Sequence, residues 1–163
     1  MAIIHTGKPE SADLAELRVR TKAGTPRGHY YVALLGLRNY EPLRIAATVL
    51  KGLAYSSLLR LHRNSTLSAA TIAESAQITP RTLARRKMSG KLEPDESDRL
   101  VRVSRIVGRA LELFEGDTTA ARVWLLGSQT GLGGAVPLEL AKTDVGAREV
   151  ENLIGRLEHG IPT

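Results

Sequence analysis

The chain has 163 residues, of which 42% are hydrophobic, and a formal net charge of +6. This length is enough for one ordinary domain or for two small ones. Because cysteine is absent, a disulfide framework, a thiol nucleophile and zinc-thiolate sites are excluded, and we expect a reducing cytoplasm. The sequence holds no apolar run of the roughly 20 residues that span a membrane, and its first residues lack the pattern of a secretory signal.

Charge is distributed unevenly along the chain. Residues 55–92 carry seven basic side chains and one acidic side chain, whereas residues 93–163 carry eight basic and twelve acidic ones. Uneven charge is common in small helical proteins, but here the basic segment coincides with a recognisable motif. A basic middle and an acidic end therefore indicate two different partners, of which one is a polyanion.

The N-terminal segment is the least regular part of the sequence. We expect residues 1–9 to form a mobile arm and residues 11–22 to form a short helix. The apolar run at residues 29–40 is too short for periodicity to separate a strand from a helix. Its side chains must be covered either by the rest of the chain or by a second copy, so residues 1–41 are a candidate dimerisation segment.

Two helices are predicted before the central motif. Pro42 opens the first, over residues 42–51, with an apolar stripe of Leu43, Ala46, Ala47 and Leu50. The second contains Leu58, Leu59 and Leu61 and ends before Asn64 and Ser65.

The central motif is TLSAATIAESAQITPRTLARRKMSGK, at residues 66–91. It predicts two short helices that meet at a tight turn, the first capped by Ser68 and the second by Thr79 with Pro80 at its first position. Such a pair is the helix-turn-helix unit, which places its second helix in a DNA major groove. Two positions depart from the usual pattern, because the turn holds Gln77 instead of glycine and the last inward position falls on Arg86.

The second helix of the motif is strongly cationic and contains no carboxylate. With Leu83 inward and about 100° per residue, Arg81 and Arg85 point outward. They are candidates for base contacts because arginine can pair bidentately with guanine. The remaining cations are expected to contact phosphates. The candidate DNA-binding residues are Thr79, Arg81, Thr82, Arg85, Arg86, Lys87 and Lys91.

The longest predicted helix covers residues 95–115 and follows the motif. Its buried stripe is Leu100, Val103, Val107, Leu111 and Phe114. A basic series along the same helix is interpreted as a solvated face in preference to a second DNA contact. That series is Arg99, Arg102, Arg105 and Arg109.

The C-terminal part is predicted to contain short helices around a glycine-rich loop. Asp117 and Thr143 are the expected caps of two of these helices. The last helix has the stripe Val150, Leu153, Ile154 and Leu157. The GLGG at residues 131–134 lacks the lysine and the Ser or Thr of a phosphate-binding loop, so we interpret it as a structural turn. Trp124 is most simply a core residue, with an interface role as the alternative.

No catalytic or metal-binding set emerges from the sequence. The four histidines show no metal-ligand spacing, and no Ser, His and Asp set or carboxylate pair stands out. We therefore expect neither a cofactor, a metal ion nor an enzymatic activity.

Three stretches, TPRTLARRK, WLLGS and LGGAVPLELAKTDVGAREVENLIGRLEHGI, resemble the Xre/MbcA/ParS antitoxin family. The resemblance covers residues 42–161 and implies an all-α fold. It implies a helix-turn-helix domain at residues 42–105 and a toxin-binding domain at residues 106–163. The implied partner is a RES-domain toxin, an enzyme that consumes NAD, and the complex of toxin and antitoxin is expected to bind and repress its own promoter.

In this family the C-terminal end approaches the NAD pocket of the toxin, which would place residues 158–163 there. The candidate toxin contacts are Trp124, Leu132, Leu138, Glu158, His159, Gly160 and Ile161. The alternative from the residues alone is a self-contained transcriptional regulator whose C-terminal part senses a small ligand or only dimerises.

Overall fold

The structure, a computed structural model, describes residues 28–163, and in that range every regular element is helical. The all-α prediction is therefore confirmed. The α-helices are α1 (Tyr30–Leu34), α2 (Pro42–Lys51), α3 (Tyr55–Ser65), α4 (Ala69–Ser75), α5 (Pro80–Ser89), α6 (Pro94–Leu113), α7 (Thr118–Leu126), α8 (Pro137–Leu140) and α9 (Asp144–Glu158). A single 3₁₀ turn, Thr130–Leu132, lies between α7 and α8.

Helix α6 is the central element of the fold. Its 20 residues begin at Pro94, and its capping box is closed by Glu96, whose carboxylate accepts from the backbone nitrogen of Glu93 at 2.9 Å. The buried side of α6 includes the predicted residues Leu100, Val103, Val107 and Leu111 together with Ile106 and Ala110. Helices from both ends of the chain pack on it, so α6 belongs to the N-terminal and the C-terminal half alike.

The apolar run at residues 29–40 forms helix α1 and packs against α6. Val32, Leu34 and Leu35 are buried in the common core. The two helices approach closely at Gly108, where an added Cβ would lie 3.1 Å from the Tyr30 Cβ. Of the two alternatives for these side chains, coverage by the rest of the chain is the one observed. The predicted arm at 1–9 and helix at 11–22 lie outside the described residues.

Helix α2 has the predicted bounds, but its orientation differs from the prediction. Ile45 is its only buried residue, while Leu43 and Leu50 of the predicted stripe are 78% and 74% exposed. Gly52 ends the helix with a φ of 85°, at a point where an added Cβ would clash with the Leu92 carbonyl oxygen. The helix therefore rests on Ile45 and the partly buried Val49, and its regularly spaced leucines face outward.

The C-terminal helices begin at the caps expected from the sequence. The carboxylate of Asp117 accepts from the backbone nitrogens of Thr119 and Ala120 at the start of α7. The hydroxyl of Thr143 accepts from Gly146 at the start of α9. Val150, Leu153 and Ile154 of α9 are buried, whereas Leu157 is partly exposed. These helices share one continuous core with α6.

Candidate functional sites

The two helices of the central motif, α4 and α5, meet at the predicted turn. The caps are as expected, since Ser68 accepts from Thr71 and Thr79 accepts from Thr82. Gln77 has a φ of 55°, so a left-handed conformation that favours glycine is held by a residue with a side chain. The sequence thus builds the tight turn of a helix-turn-helix unit in spite of the missing glycine.

Helix α5 lies on the surface of the protein. None of its residues is buried, and Leu83 is the one that packs partly against the core. Arg81, Arg85 and Lys87 are exposed, as the predicted DNA-contacting role requires. The hydroxyl groups of the N-cap Thr79 and of Thr82, in the first turn, form a hydrogen bond of 3.1 Å. The outward face of α5 is thus an open surface that carries two arginines.

Arg86 points inward and forms an ion pair with helix α6. Its Nε and Nη2 donate to the two carboxylate oxygens of Glu96 at 2.8 and 3.0 Å, and Glu93 lies 3.5 Å from its Nη1. The side chains of Arg86 and Glu96 are only 17% and 7% exposed. This pair occupies the inward position that is usually apolar, so we assign Arg86 a structural role and omit it from the proposed phosphate contacts.

The ion pair also changes the ionisation of its members. Burial alone would raise the pKa of the Glu96 carboxyl, but the hydrogen bonds from Arg86 and from the Glu93 backbone, with the Arg86 charge, lower that pKa below its ordinary value. The hydrogen bonds between Arg86 and Glu96 raise the pKa of the Arg86 guanidinium. Both groups are therefore charged at neutral pH, and α5 is fixed to α6 by a bidentate, charge-assisted contact.

Lys91 follows α5 and lies beside the start of α3. The backbone on either side of it is tied down, because Tyr55 donates to the Gly90 carbonyl at 2.9 Å and Leu92 donates to the Leu53 carbonyl at 2.8 Å. The Lys91 residue itself is exposed. The structure therefore holds this cation at a defined position at the end of α5.

The basic series along α6 joins the two halves of the protein. Arg99 donates to the Ala76 carbonyl at the end of α4, and Arg102 donates to the Lys142 carbonyl before α9. Arg105 and Arg109 form ion pairs of 3.1 and 3.0 Å with Glu151 and Glu158 of α9. The interpretation as a solvated face is wrong, because all four guanidinium groups donate to other helices or loops. A sequence cannot show these partners, which lie 23 to 49 residues away.

The predicted toxin contacts differ in exposure and fall into three groups: residues that hold the domain together, residues that pack partly against the core, and exposed residues. Leu138 is only 2% exposed, and Glu158 is held by Arg109, so both serve the core of the domain. Trp124 and Leu132 pack partly against the core, and the Trp124 ring lies 6.4 Å from that of Phe114.

The remaining predicted contacts lie at the C-terminal end and are exposed. His159 and Gly160 are exposed, and Ile161 is 52% exposed. The Gly160 φ is 64°, which turns the chain after α9. The accessible part of the predicted set is therefore the stretch from His159 to Ile161.

Exposed apolar residues elsewhere in the C-terminal half were not singled out by the sequence. Val123 and Leu126 lie on α7, and Val145 lies in the first turn of α9, where it is 75% exposed. These residues lie outside the buried stripe of each helix. The sequence alone does not show which side of a helix is buried, so they could be identified only from the structure. Ile161 and Val145 lie at opposite ends of α9.

The glycine-rich loop is a structural turn, as predicted. The Ser128 hydroxyl donates to the Gly134 carbonyl, and Gly133 and Gly134 both have positive φ. An added Cβ at Gly131 would lie 2.6 Å from a Leu153 methyl and 3.3 Å from the Thr163 Cβ. The loop thus packs closely against α9 and the last residue of the chain.

In the described part of the chain, no group of three or more His, Asp or Glu side chains is placed to hold a metal ion. In the same residues, 28–163, no helix combines the length and the apolar character that a membrane crossing requires.

Two family models match the chain in succession. The model of the antitoxin Xre-like helix-turn-helix domain matches residues 44–105, which contain α4 and α5. The model of the antitoxin Xre/MbcA/ParS C-terminal toxin-binding domain matches residues 109–160, which contain α7 to α9. Helix α6 contributes to both matched regions, and the exact boundaries at 42, 105 and 106 stay a prediction.

Three curated proteins named Antitoxin Xre are similar to this chain. The one from Photorhabdus laumondii is 37% identical over 146 residues, which are 89% of this chain and 99% of the relative. The one from Yersinia enterocolitica is 36% identical over 128 residues, 78% of this chain and 86% of the relative. The one from Pseudomonas putida is 31% identical over 118 residues, 71% and 72% of the two chains. The chain belongs to the Xre antitoxin family.

Proposed function

We propose that this antitoxin neutralises a RES-type toxin that consumes NAD and that, together with the toxin, it represses its own operon in the cytoplasm. The observation that supports this most directly is the succession of a helix-turn-helix domain and a toxin-binding domain in one chain. The antitoxin acts by binding alone, as a regulator without a catalytic step.

The DNA-binding half of the proposal uses the outward face of α5. Arg81 and Arg85 read base edges, and Lys87 and Lys91 contact phosphates. Thr79 and Thr82 lie at the N-terminus of the helix, which is the end that enters the groove in this motif. Arg86 holds the helix in place through Glu96.

The toxin-binding half uses the C-terminal end of the chain. His159, Gly160 and Ile161 approach the NAD pocket of the toxin, and Trp124 and Leu132 border the contact. The exposed position of Ile161 supports this assignment, since ligand pockets are lined mostly by apolar side chains and suit an exposed apolar group. Leu138 and Glu158 hold the domain together behind this surface.

Self-association is part of the proposal, because helix-turn-helix proteins commonly bind two half-sites as dimers. We propose residues 1–41 as the segment that makes this contact. Within that range Val32, Leu34 and Leu35 are buried in the chain's own core, so they are not available to a second copy.

The experiment is co-expression of the chain with the gene adjacent to its own. Removal of everything after Gly116 would expose the buried side of α6, so point variants are preferable. We expect Ile161→Asp to abolish both growth rescue and co-purification of the toxin. Val145→Asp, at the other end of α9 and equally apolar, is the matched control and is expected to rescue growth as the wild type does.

The wild-type chain decides between the two candidate functions, and the two variants locate the toxin contact. If the adjacent gene product is not toxic, or if the wild-type chain does not relieve its toxicity, the antitoxin proposal is wrong and a self-contained regulator is favoured. If Ile161→Asp still rescues while Val145→Asp does not, the toxin contacts the start of α9 instead.

A further inference from the structure

The side chains of α5 that point away from the core include two apolar ones. The inward direction is fixed by Leu83, which packs on the core, and by Arg86, which is paired with Glu96. At about 100° per residue, the opposite direction falls between Arg81 and Met88, with Ala84 and Arg85 on either side of them. The helical spacing in the sequence predicts base contacts from Arg81 and Arg85, and Met88 lies on the same face.

Met88 has no role in the packing of the protein. Within residues 28–163 it has the highest exposed fraction of any large hydrophobic residue, 88%, and it lies on a helix without buried residues. A wide, shallow depression runs along α5 and is lined by Arg81, Ala84, Arg85, Arg86, Met88 and Ser89. Met88 therefore shares the outward face of α5 with Arg81 and Arg85 and lies beside them, C-terminal to both.

The charge around Met88 indicates which partner it meets. Helix α5 contains four cationic side chains and no acidic one, so its outward face suits a polyanion better than another protein surface. In the DNA major groove, guanine offers acceptors to arginine, and the C5-methyl of thymine is the apolar group on a base edge. A long, flexible thioether can follow such a methyl group closely.

We propose that Met88, with Ala84 beside it, reads the C5-methyl group of a thymine adjacent to the guanines read by Arg81 and Arg85. This inference rests on the proposed binding of DNA by α5 and adds a sequence preference to it. The operator half-site is therefore expected to contain guanine and thymine next to each other, and Met88 is a specificity-determining residue rather than a phosphate contact.

The first step of the test is a selection from random duplex DNA, carried out with the full-length chain alone and with its co-expressed complex with the toxin, which yields the preferred site. The second step compares that site with a copy in which every thymine is replaced by deoxyuridine. This replacement removes the methyl group and keeps the base pairing. We expect wild-type binding to weaken about fourfold for each methyl group contacted, from the transfer free energy of one buried methyl-sized group.

The variant Met88→Ala separates a methyl contact from a general effect on DNA. It is expected to bind the thymine site more weakly than the wild type and to be insensitive to deoxyuridine. Lys87→Ala is the matched control, because it should weaken binding to both sites while the methyl-dependent difference persists. Thermal unfolding of both variants should match the wild type, since both side chains are exposed.

The outcomes distinguish this inference from the proposed function. If the selection enriches no sequence, the proposal that α5 reads DNA is wrong, and so is the proposed role of Met88. If a sequence is enriched but deoxyuridine has no effect, or weakens wild type and Met88→Ala equally, only the role of Met88 is wrong.

Discussion

Arg86 of helix α5 and Glu96 of helix α6 are joined by two hydrogen bonds of 2.8 and 3.0 Å, in a pair that is mostly shielded from water. Since α5 has no buried residue, this pair and the partly buried Leu83 hold the helix on the protein. A charged contact thus takes the place of an apolar one at the base of the surface proposed to bind DNA.

The first prediction concerns the stability that this pair provides. Glu96→Gln removes the charge but keeps an oxygen that can accept from the Glu93 backbone, so the capping box survives. We expect the free energy of unfolding to fall by about 1–3 kcal/mol, because the Arg86 guanidinium loses a charged partner in a shielded site. Chemical denaturation measures this. Glu41→Gln, which removes the exposed pair with Arg44, should cost less than about 1 kcal/mol.

The second prediction follows from the lowered pKa of Glu96. Its pKa in the folded protein lies below the ordinary 4.5, so its ionised form stabilises the fold above that value, and this contribution is lost as the pH falls through the folded pKa. The difference in unfolding free energy between wild type and Glu96→Gln should therefore be constant near neutral pH and shrink below about pH 4.5. A difference that is unchanged under acid conditions would contradict the ion-pair explanation.

Features that depend on neighbouring residues, above all the helix caps, could be predicted from the sequence. The caps Ser68, Thr79, Asp117 and Thr143 could be predicted because each depends on a residue and the backbone two or three positions later. The outward direction of Leu43 and Leu50 could not, since helical spacing identifies a stripe without saying which neighbour covers it. The partners of Arg86 and Arg109 lie in other helices and only the folded chain brings them together.

The third prediction tests the strain at the turn between α4 and α5. Gln77 adopts a positive φ that costs a residue with a side chain on the order of 1 kcal/mol. Gln77→Gly should therefore raise the free energy of unfolding by about 0.5–1 kcal/mol, after the greater freedom of glycine in the unfolded chain is counted. Ala84→Gly, at an exposed helical position of α5, should lower it by about 1 kcal/mol. If Gln77→Gly is equally destabilising, the turn is not strained.

The fourth prediction contrasts two glycines of helix α9. An added Cβ at Gly146 would clash with the backbone carbonyl of Leu140, whereas nothing lies within 4 Å of one at Gly155. We expect Gly146→Ala to lower the melting temperature, with a loss of about 1–3 kcal/mol from overpacking. Gly155→Ala should raise it, with a gain of about 0.5–1 kcal/mol from helix propensity. The same sign for both variants would disprove the close approach between α8 and α9.

The fifth prediction separates a structural role of Glu158 from a direct toxin contact. Glu158 accepts from Arg109 at 3.0 Å and ties the end of α9 to α6, and both side chains are mostly buried. Glu158→Gln should therefore lower the free energy of unfolding by about 1–3 kcal/mol, because a charge-assisted hydrogen bond is lost. Its affinity for the toxin should stay at the wild-type value under conditions in which the variant is folded.

The control for this experiment is Glu149→Gln, on the same helix and exposed, which should change neither stability nor toxin affinity. Calorimetric titration of the purified toxin with each folded variant gives the affinity, and denaturation of the free antitoxin gives the stability. A Glu158→Gln chain that is as stable as the wild type but no longer binds the toxin would show that the carboxylate acts at the interface. The pairing with Arg109 would then have to open when the complex forms.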